Sequence, residues 1–265
     1  METYCNKNIK IDRWYGRFGN NIVQLIRAMH ISLFYHCNLI IPPHKFFNST
    51  YIKIYDDIDK NAPNISNELQ PVTYFFAGAK NVDKKIWKSR KGKKIIEILK
   101  KYFIPKPIHL HENDLVIHIR GGDIFGPFGG HPGYIQPPLS YYTNIIKNNE
   151  FNDIYICSED TKNPCINRLL KSFPKIKFQL RPFNIDLSLM LGATNLLMSF
   201  TTTASSVLIF SDKINTIYKP SFGFKCVIDY SKDVRYHTIQ LNEYKKLMKP
   251  WKNTPKQIHT MLTYE

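Results

Sequence analysis

Val116-Ile117-His118-Ile119-Arg120-Gly121-Gly122-Asp123 is the stretch whose reading decides the fold. Residues 116–119 are apolar apart from one imidazole, and they predict a buried strand. The strand runs directly into an arginine, two glycines and an aspartate. The carboxyl end of a strand in an α/β sheet is where such folds bind ligands. Arg120 stays charged at any ordinary pH, and its planar fork matches phosphate oxygens. Gly121 and Gly122 carry no Cβ, so another backbone or a ligand can come close. The plainer alternative is a core strand whose Arg120 and Asp123 pair across a turn. Spacing alone does not separate the two.

Working outward, strands and helices alternate on both sides. Upstream, a short strand at residues 9–11 leads into Gly16-Arg17-Phe18-Gly19-Asn20-Asn21. A helix over residues 20–36 follows, with Ile22, Leu25, Ile26 and Met29 at helical spacing and Asn20 or Asn21 as the N-cap. A strand at 39–41 stops at Pro42-Pro43, completing a βαβ unit. Residues 42–80 are irregular apart from a strand at 72–76, and a basic helix spans 93–103. Downstream, helices are expected at 139–148, 163–173, 186–193 and up to Phe210. Strands are expected at 153–157, 176–180, 196–199 and 214–218. This order predicts α/β layers with parallel sheets. Pro105 and Pro107 divide the chain into two Rossmann-like lobes, residues 1–107 and 108–265, with a cleft between them and a C-terminal helix returning to the first lobe.

Composition narrows the function classes. Of 265 residues, 43% are hydrophobic and 14% aromatic, enough for a substantial core and against general disorder. The formal charge of +16 favours anionic partners, although lysine-rich solvated helix faces explain most of it. Five dispersed cysteines, none in CxxC spacing, read as reduced thiols in an intracellular, cytoplasmic protein without a zinc site. Residues 1–10 are polar and do not resemble a signal peptide, and no run reaches the length of a spanning helix. The basic segment 84–101 suits peripheral association with an acidic membrane. As a nucleic-acid surface it has only Trp87 and Tyr102 to stack on, and no nucleic-acid fold signature accompanies it, so specific nucleic-acid binding is not expected.

Polar clusters fall at four predicted strand ends: residues 16–20, 120–123, 158–160 and the hydroxyl-rich 201–206. Helix N-termini at such turns offer backbone N–H groups and the positive end of the dipole. No Walker lysine and no GxGxxG is present, which disfavours a P-loop or a dinucleotide fingerprint.

His118-Ile119-Arg120-Gly121-Gly122-Asp123 resembles the HxRxGD-type motif of the α-1,2-, α-1,6- and protein O-fucosyltransferase superfamily. Residues 16–21 resemble that superfamily's G-x-x-G-N-Q segment, with Asn21 in place of glutamine. Ser158-Glu159-Asp160 resembles its second motif. Asp186-Leu187-Ser188-Leu189-Met190, followed by residues 195–206, resembles its third. The resemblance implies a GT-B fold, with the donor nucleotide held mainly by the C-terminal lobe. It implies inverting transfer without a bound metal, most readily of fucose from GDP-fucose onto a glycan hydroxyl. A UDP-sugar such as UDP-xylose on the same fold is the alternative donor.

On this reading Arg120 neutralises the departing diphosphate. Gly16, Arg17, Gly19, Asn20, His118, Ser158, Glu159, Thr202, Thr203 and Ser205 are the donor-side candidates, His118 as a core residue that helps to place Arg120. Asp123 is the candidate base, with Glu159 and His131 as alternatives. His131, Tyr134 and Gln136, in a loop that departs from the best-known relatives, are the acceptor-side candidates. No cofactor beyond the nucleotide-sugar is implied. The letters of Asp56-Asp57-Ile58-Asp59 contain a DxD, but they read as a solvated loop rather than a metal site.

Overall fold

A computed structural model of the chain describes residues 6–65, 92–127, 130–222 and 234–265. The expected strand at 72–76 and the basic residues 84–91 lie outside them. The chain divides into two compact units at Pro105 and Lys106. No described helix is long and apolar enough to cross a membrane.

The first unit holds β1 (Asn8–Lys10), α1 (Phe18–Tyr35), β2 (Asn38–Ile40), β3 (Tyr51–Ile52) and α2 (Gly92–Tyr102). β1 and β2 pair in parallel, and β3 adds antiparallel to β2. Ile22, Leu25, Ile26 and Met29, read as one helical face, are all buried with Ile9 and Leu39 of the strands. Helix α1 begins at Phe18, two residues before the expected start. Asn21 does not cap it: its Nδ2 donates back to the Tyr15 carbonyl at 3.0 Å, and Gln24 Nε2 donates to the Arg13 carbonyl at 3.0 Å. The helix therefore grips its own entry loop. Exposed Lys93, Lys94 and Lys101 lie on α2. The acidic letters of the DxD disperse into separate contacts, Asp56 with Lys53 and Asp57 with His36.

The second unit is one sheet of six strands: β4 (Leu115–His118), β5 (Ile154–Cys157), β6 (Ile176–Lys177), β7 (Asn195–Met198), β8 (Thr216–Pro220) and β9 (Arg235–Ile239). Their spatial order is β6-β5-β4-β7-β8-β9, and every pair is parallel. The chain enters at the middle, steps outward through β5 and β6, then crosses to the other side of β4. The connections are α3 (Leu139–Lys147), α4 (Pro164–Ser172), α5 (Phe183–Gly192) and α6 (Thr202–Phe210). This is the doubly wound Rossmann order, and its topological switch point falls between β4 and β7. Leu115, Val116 and Ile117 are fully buried, as a strand covered on both faces must be.

The second unit departs from the sequence-based expectation at its end. β9 was not anticipated because residues 235–238 are exposed and show no burial pattern to read. Two helices follow it, α7 (Asn242–Met248) and α8 (Pro255–Thr263). The last helix packs on α3 and α4 of its own unit. Met261 is fully buried there, in the same cluster as Tyr244 and Trp251.

Candidate functional site

The carboxyl ends of β4, β5 and β7 lie side by side, and each leads into a turn with polar side chains. Arg120 sits on the first of these. Strand pairing aligns His118 with Met198, which brings the next residues, Ile119 and Ser199, level with each other at the switch point. Ser199 Oγ lies 3.1 Å from His118 Nδ1 and accepts the Arg120 backbone N–H at 3.1 Å. One hydroxyl thus links the buried imidazole to the arginine's main chain. Asn163 fixes the other side: its Nδ2 donates to the Arg120 carbonyl at 3.0 Å while its Oδ1 caps α4.

The Arg120 guanidinium is only 17% exposed. Its Nη2 donates to Asp123 Oδ1 at 2.7 Å, and its Nε lies 3.6 Å from Glu159 Oε1. That Nε is buried and has no hydrogen-bond partner. The Arg–Asp pair across the turn, the plainer of the two readings, is present. It is a pair with spare capacity, because two carboxylates approach the guanidinium and one of its N–H groups still lacks an acceptor.

The two glycines are small for a definite reason. A Cβ on Gly121 would lie 2.2 Å from Asp160 Oδ1, and one on Gly122 would lie 2.5 Å from Glu159 Oε1. Gly122 also has a φ of +68°, a conformation that side chains disfavour. Its N–H donates to Asp160 Oδ2 at 3.1 Å. What approaches the glycine turn is therefore the acidic turn after β5. Asp123, Glu159 and Asp160 set three carboxylates against Arg120 and Lys162 at these strand ends.

Several expected site residues make hydrogen bonds within the scaffold. Ser158 is buried and donates to the Asp160 carbonyl at 2.9 Å, closing its own turn. Thr201 caps α6 by accepting from the Thr203 N–H at 3.1 Å. Ser205 donates to the Thr201 carbonyl at 3.4 Å and Ser206 to the Thr202 carbonyl at 2.8 Å. Thr203 is buried, while Thr202 and Ser205 remain partly exposed. Gln136 is fully buried. Its Nε2 donates to the carbonyls of Tyr134, at 3.1 Å, and Phe200, at 3.4 Å, so it ties the loop after β4 to the turn after β7. This amide braces the loop, and its Oε1 is buried without a hydrogen-bond partner among the described residues. Of the same loop, His131 is exposed and Tyr134 half-buried, with ring centres 5.0 Å apart. Trp251 holds this loop from below, donating from Nε1 to the Ile124 carbonyl at 3.0 Å.

Gly16, Arg17, Gly19 and Asn20 form the entry to α1 in the first unit. Gly16 has a φ of +70°, Arg17 is exposed and Gly19 is buried. Arg17 stands at the N-cap without a side-chain cap.

The sequence motifs include Asp160 and Asp186, while Ser199, Asn163 and Arg181 are not singled out there as site-building residues. Arg181 Nε donates to Asp186 Oδ1 at 2.9 Å and Nη2 donates to the Ile156 carbonyl at 2.8 Å, which pins α5 to the end of β5. Burial pushes the Asp186 carboxyl up from its ordinary value, against the opposing pull of Arg181. Ser199 was readable in principle: it is the first polar residue after an apolar strand pairing with β4.

No family model matches the chain, and no curated protein matches it. Solved structures do. A GDP complex of POFUT1 is 10% identical with a TM-score of 0.47, covering 91% of this chain and 99% of that one. Fucosyltransferase NodZ from Bradyrhizobium is 10% identical with a TM-score of 0.42, covering 77% of this chain and 94% of that one. The E. coli heptosyltransferase WaaC with ADP is 10% identical with a TM-score of 0.42, covering 91% and 96%. The chain is similar to each of these.

Proposed function

We propose that this protein is a nucleotide-sugar glycosyltransferase that moves fucose from GDP-fucose onto a glycan hydroxyl, with inversion and without a metal. The observation that carries the reading is Arg120: a mostly buried guanidinium at the switch point of a Rossmann sheet, with its Nε lacking a hydrogen-bond acceptor. Ligands of such sheets lie outside the carboxyl ends of the strands at that point. The motif resemblance of residues 16–21, 118–123, 158–160 and 186–206 supplies the donor class.

The geometry suggests how the steps would couple. A donor diphosphate competes with Asp123 and Glu159 for the guanidinium. Its oxygens supply the acceptor that Nε lacks. Asp123, 58% exposed, is then released to take the proton of the acceptor hydroxyl. That oxygen attacks the anomeric carbon from the face opposite the diphosphate. The glycosidic C–O bond to phosphate breaks, and the nucleoside diphosphate leaves with the electron pair beside Arg120. A preorganised cation aimed at that developing charge is worth roughly 3–4 kcal/mol.

The test is a screen of nucleotide-sugars read as nucleotide release, paired with thermal shifts in GDP and UDP. GDP-fucose turnover with stabilisation by GDP is expected. Stabilisation by UDP alone would transfer the assignment to a UDP-sugar such as UDP-xylose. Full activity in Arg120→Ala would end the reading.

A further inference from the structure

We propose that a second groove of the same unit, between α3 and the β8–β9 edge, binds a neutral oligosaccharide and anchors the acceptor glycan. Its role as an acceptor anchor rests on the transferase reading above; the binding itself does not. The groove has a volume of about 340 Å³, within the roughly 300–1,000 Å³ typical of ligand sites.

One wall is a ladder. Ser140 and Asn144 on α3, and Asn148 at its C-cap, recur every four residues and all line the groove. Residues so spaced stand on one helix face, and the ladder spans about 12 Å. Asn144 and Asn148 are exposed, and among the described residues neither side chain is engaged in a hydrogen bond within the protein. Each amide offers donors and an acceptor together. Neighbouring hydroxyls of a sugar ring present the matching set, one donating while the next accepts.

The opposite wall is aromatic. His237 stacks on Tyr218 with ring centres 5.0 Å apart and planes 21° apart, and Tyr264 stands nearby in the lining. The C–H face of a pyranose packs on such rings, while its hydroxyls reach the amides. Charge selects against other ligands. In a chain of formal charge +16, the lining contains no lysine or arginine and one carboxylate, Glu265. A phosphate or nucleotide gains nothing there.

The groove also starts in the right place. Helix α3 leaves the carboxyl edge of the sheet, so Ser140 lies at the same edge as Arg120. Tyr141 confirms the position: its hydroxyl, with one proton to donate, lies 2.9 Å from the Met198 carbonyl and 3.1 Å from the Tyr218 carbonyl. A glycan lying along the ladder would run away from the transfer site, one end near it.

The experiment titrates the full chain, without nucleotide, with neutral trisaccharides: cellotriose, mannotriose, maltotriose and chitotriose. Calorimetry and saturation-transfer NMR read the binding. At least one should bind, and Asn144→Ala/Asn148→Ala should weaken it by about tenfold or more, the loss of one or two hydrogen bonds. His237→Ala should weaken it too. These side chains are exposed, so melting temperatures should not move. Arg120→Ala should bind the sugar as the native protein does. Sugar binding in a protein that transfers nothing would keep this proposal and remove the other. Binding of none of the four, binding indifferent to the double variant, or preference for an extended Gly-Ser-Tyr peptide would overturn it.

Discussion

Two arginines stand within one sheet's carboxyl edge, in two turns built for opposite ends. Arg181, ahead of α5, is engaged at both Nε and Nη2, by a carboxylate and a carbonyl, and its partner Asp186 is buried. Arg120, after β4, is held as firmly by its backbone, through Ser199 and Asn163, yet its head group is incompletely satisfied. One turn spends its charge on the scaffold, and the other keeps part of it in reserve. Burial alone does not distinguish them, since the side chains are 11% and 17% exposed. Completeness of hydrogen bonding does, and that is the property to look for in an arginine meant to meet a ligand.

The comparison can be broken by substitution. Asp186→Ala strands a buried guanidinium and should cost about 3–5 kcal/mol of stability, measured by urea unfolding. A loss under about 1 kcal/mol would show that the Arg181 turn is not structural. Arg120→Ala should do the reverse. Transfer should fall by roughly 100- to 1,000-fold, with stability changed by about 1 kcal/mol or less because Asp123 is mostly exposed. Gly122→Ala adds a Cβ into Glu159 at a positive φ and should cost about 1–2 kcal/mol, lowering activity through displacement of the turn. Thr201→Ala removes the cap of α6 and should cost about 1 kcal/mol.

The smallest effect is on pH. Asp186 has a carboxyl raised by burial above its ordinary 3.8, so in the folded protein it holds its proton to higher pH than in the unfolded chain. Its contribution to stability is full below 3.8 and is lost as pH rises through the raised value. Asp186→Asn should flatten that part of the stability profile. A stability that instead rises across this window because of Asp186 would show that Arg181, not burial, dominates the pair.

The layered fold was legible because β4, β5 and β7 are short apolar runs that end in polar turns, and because α1 shows four core residues at helical spacing. The edges were not. β6 was expected over 176–180 and stops at Lys177, with Leu180 59% exposed. β9 is exposed along most of its length, so periodicity had nothing to report. At the site, Arg120, Asp123 and Glu159 do come together. Thr202, Thr203 and Ser205 were donor-side candidates; in the structure Thr201 caps α6, and Ser205 and Ser206 donate to carbonyls of the same turn, contacts that the run of hydroxyls alone does not specify. Gln136, an acceptor-side candidate, is buried with its side-chain amide donating to the Phe200 carbonyl and its backbone carbonyl accepting from the Tyr244 hydroxyl, and local sequence carries no trace of those contacts. Contacts across such distances in the chain are set by topology, which no local pattern records.

The hydroxyl of Ser199 that steadies Arg120 comes from 79 residues further along the chain. A nascent chain that has passed the turn after β5 already contains the arginine, both glycines and all three carboxylates. It still lacks Ser199, the group that accepts the arginine's backbone N–H. If Arg120 holds the donor as proposed, its affinity would be complete only once β7 pairs with β4. A ligand that engages Arg120 would act as a probe of completed folding, blind to any truncated product ending before Asn195.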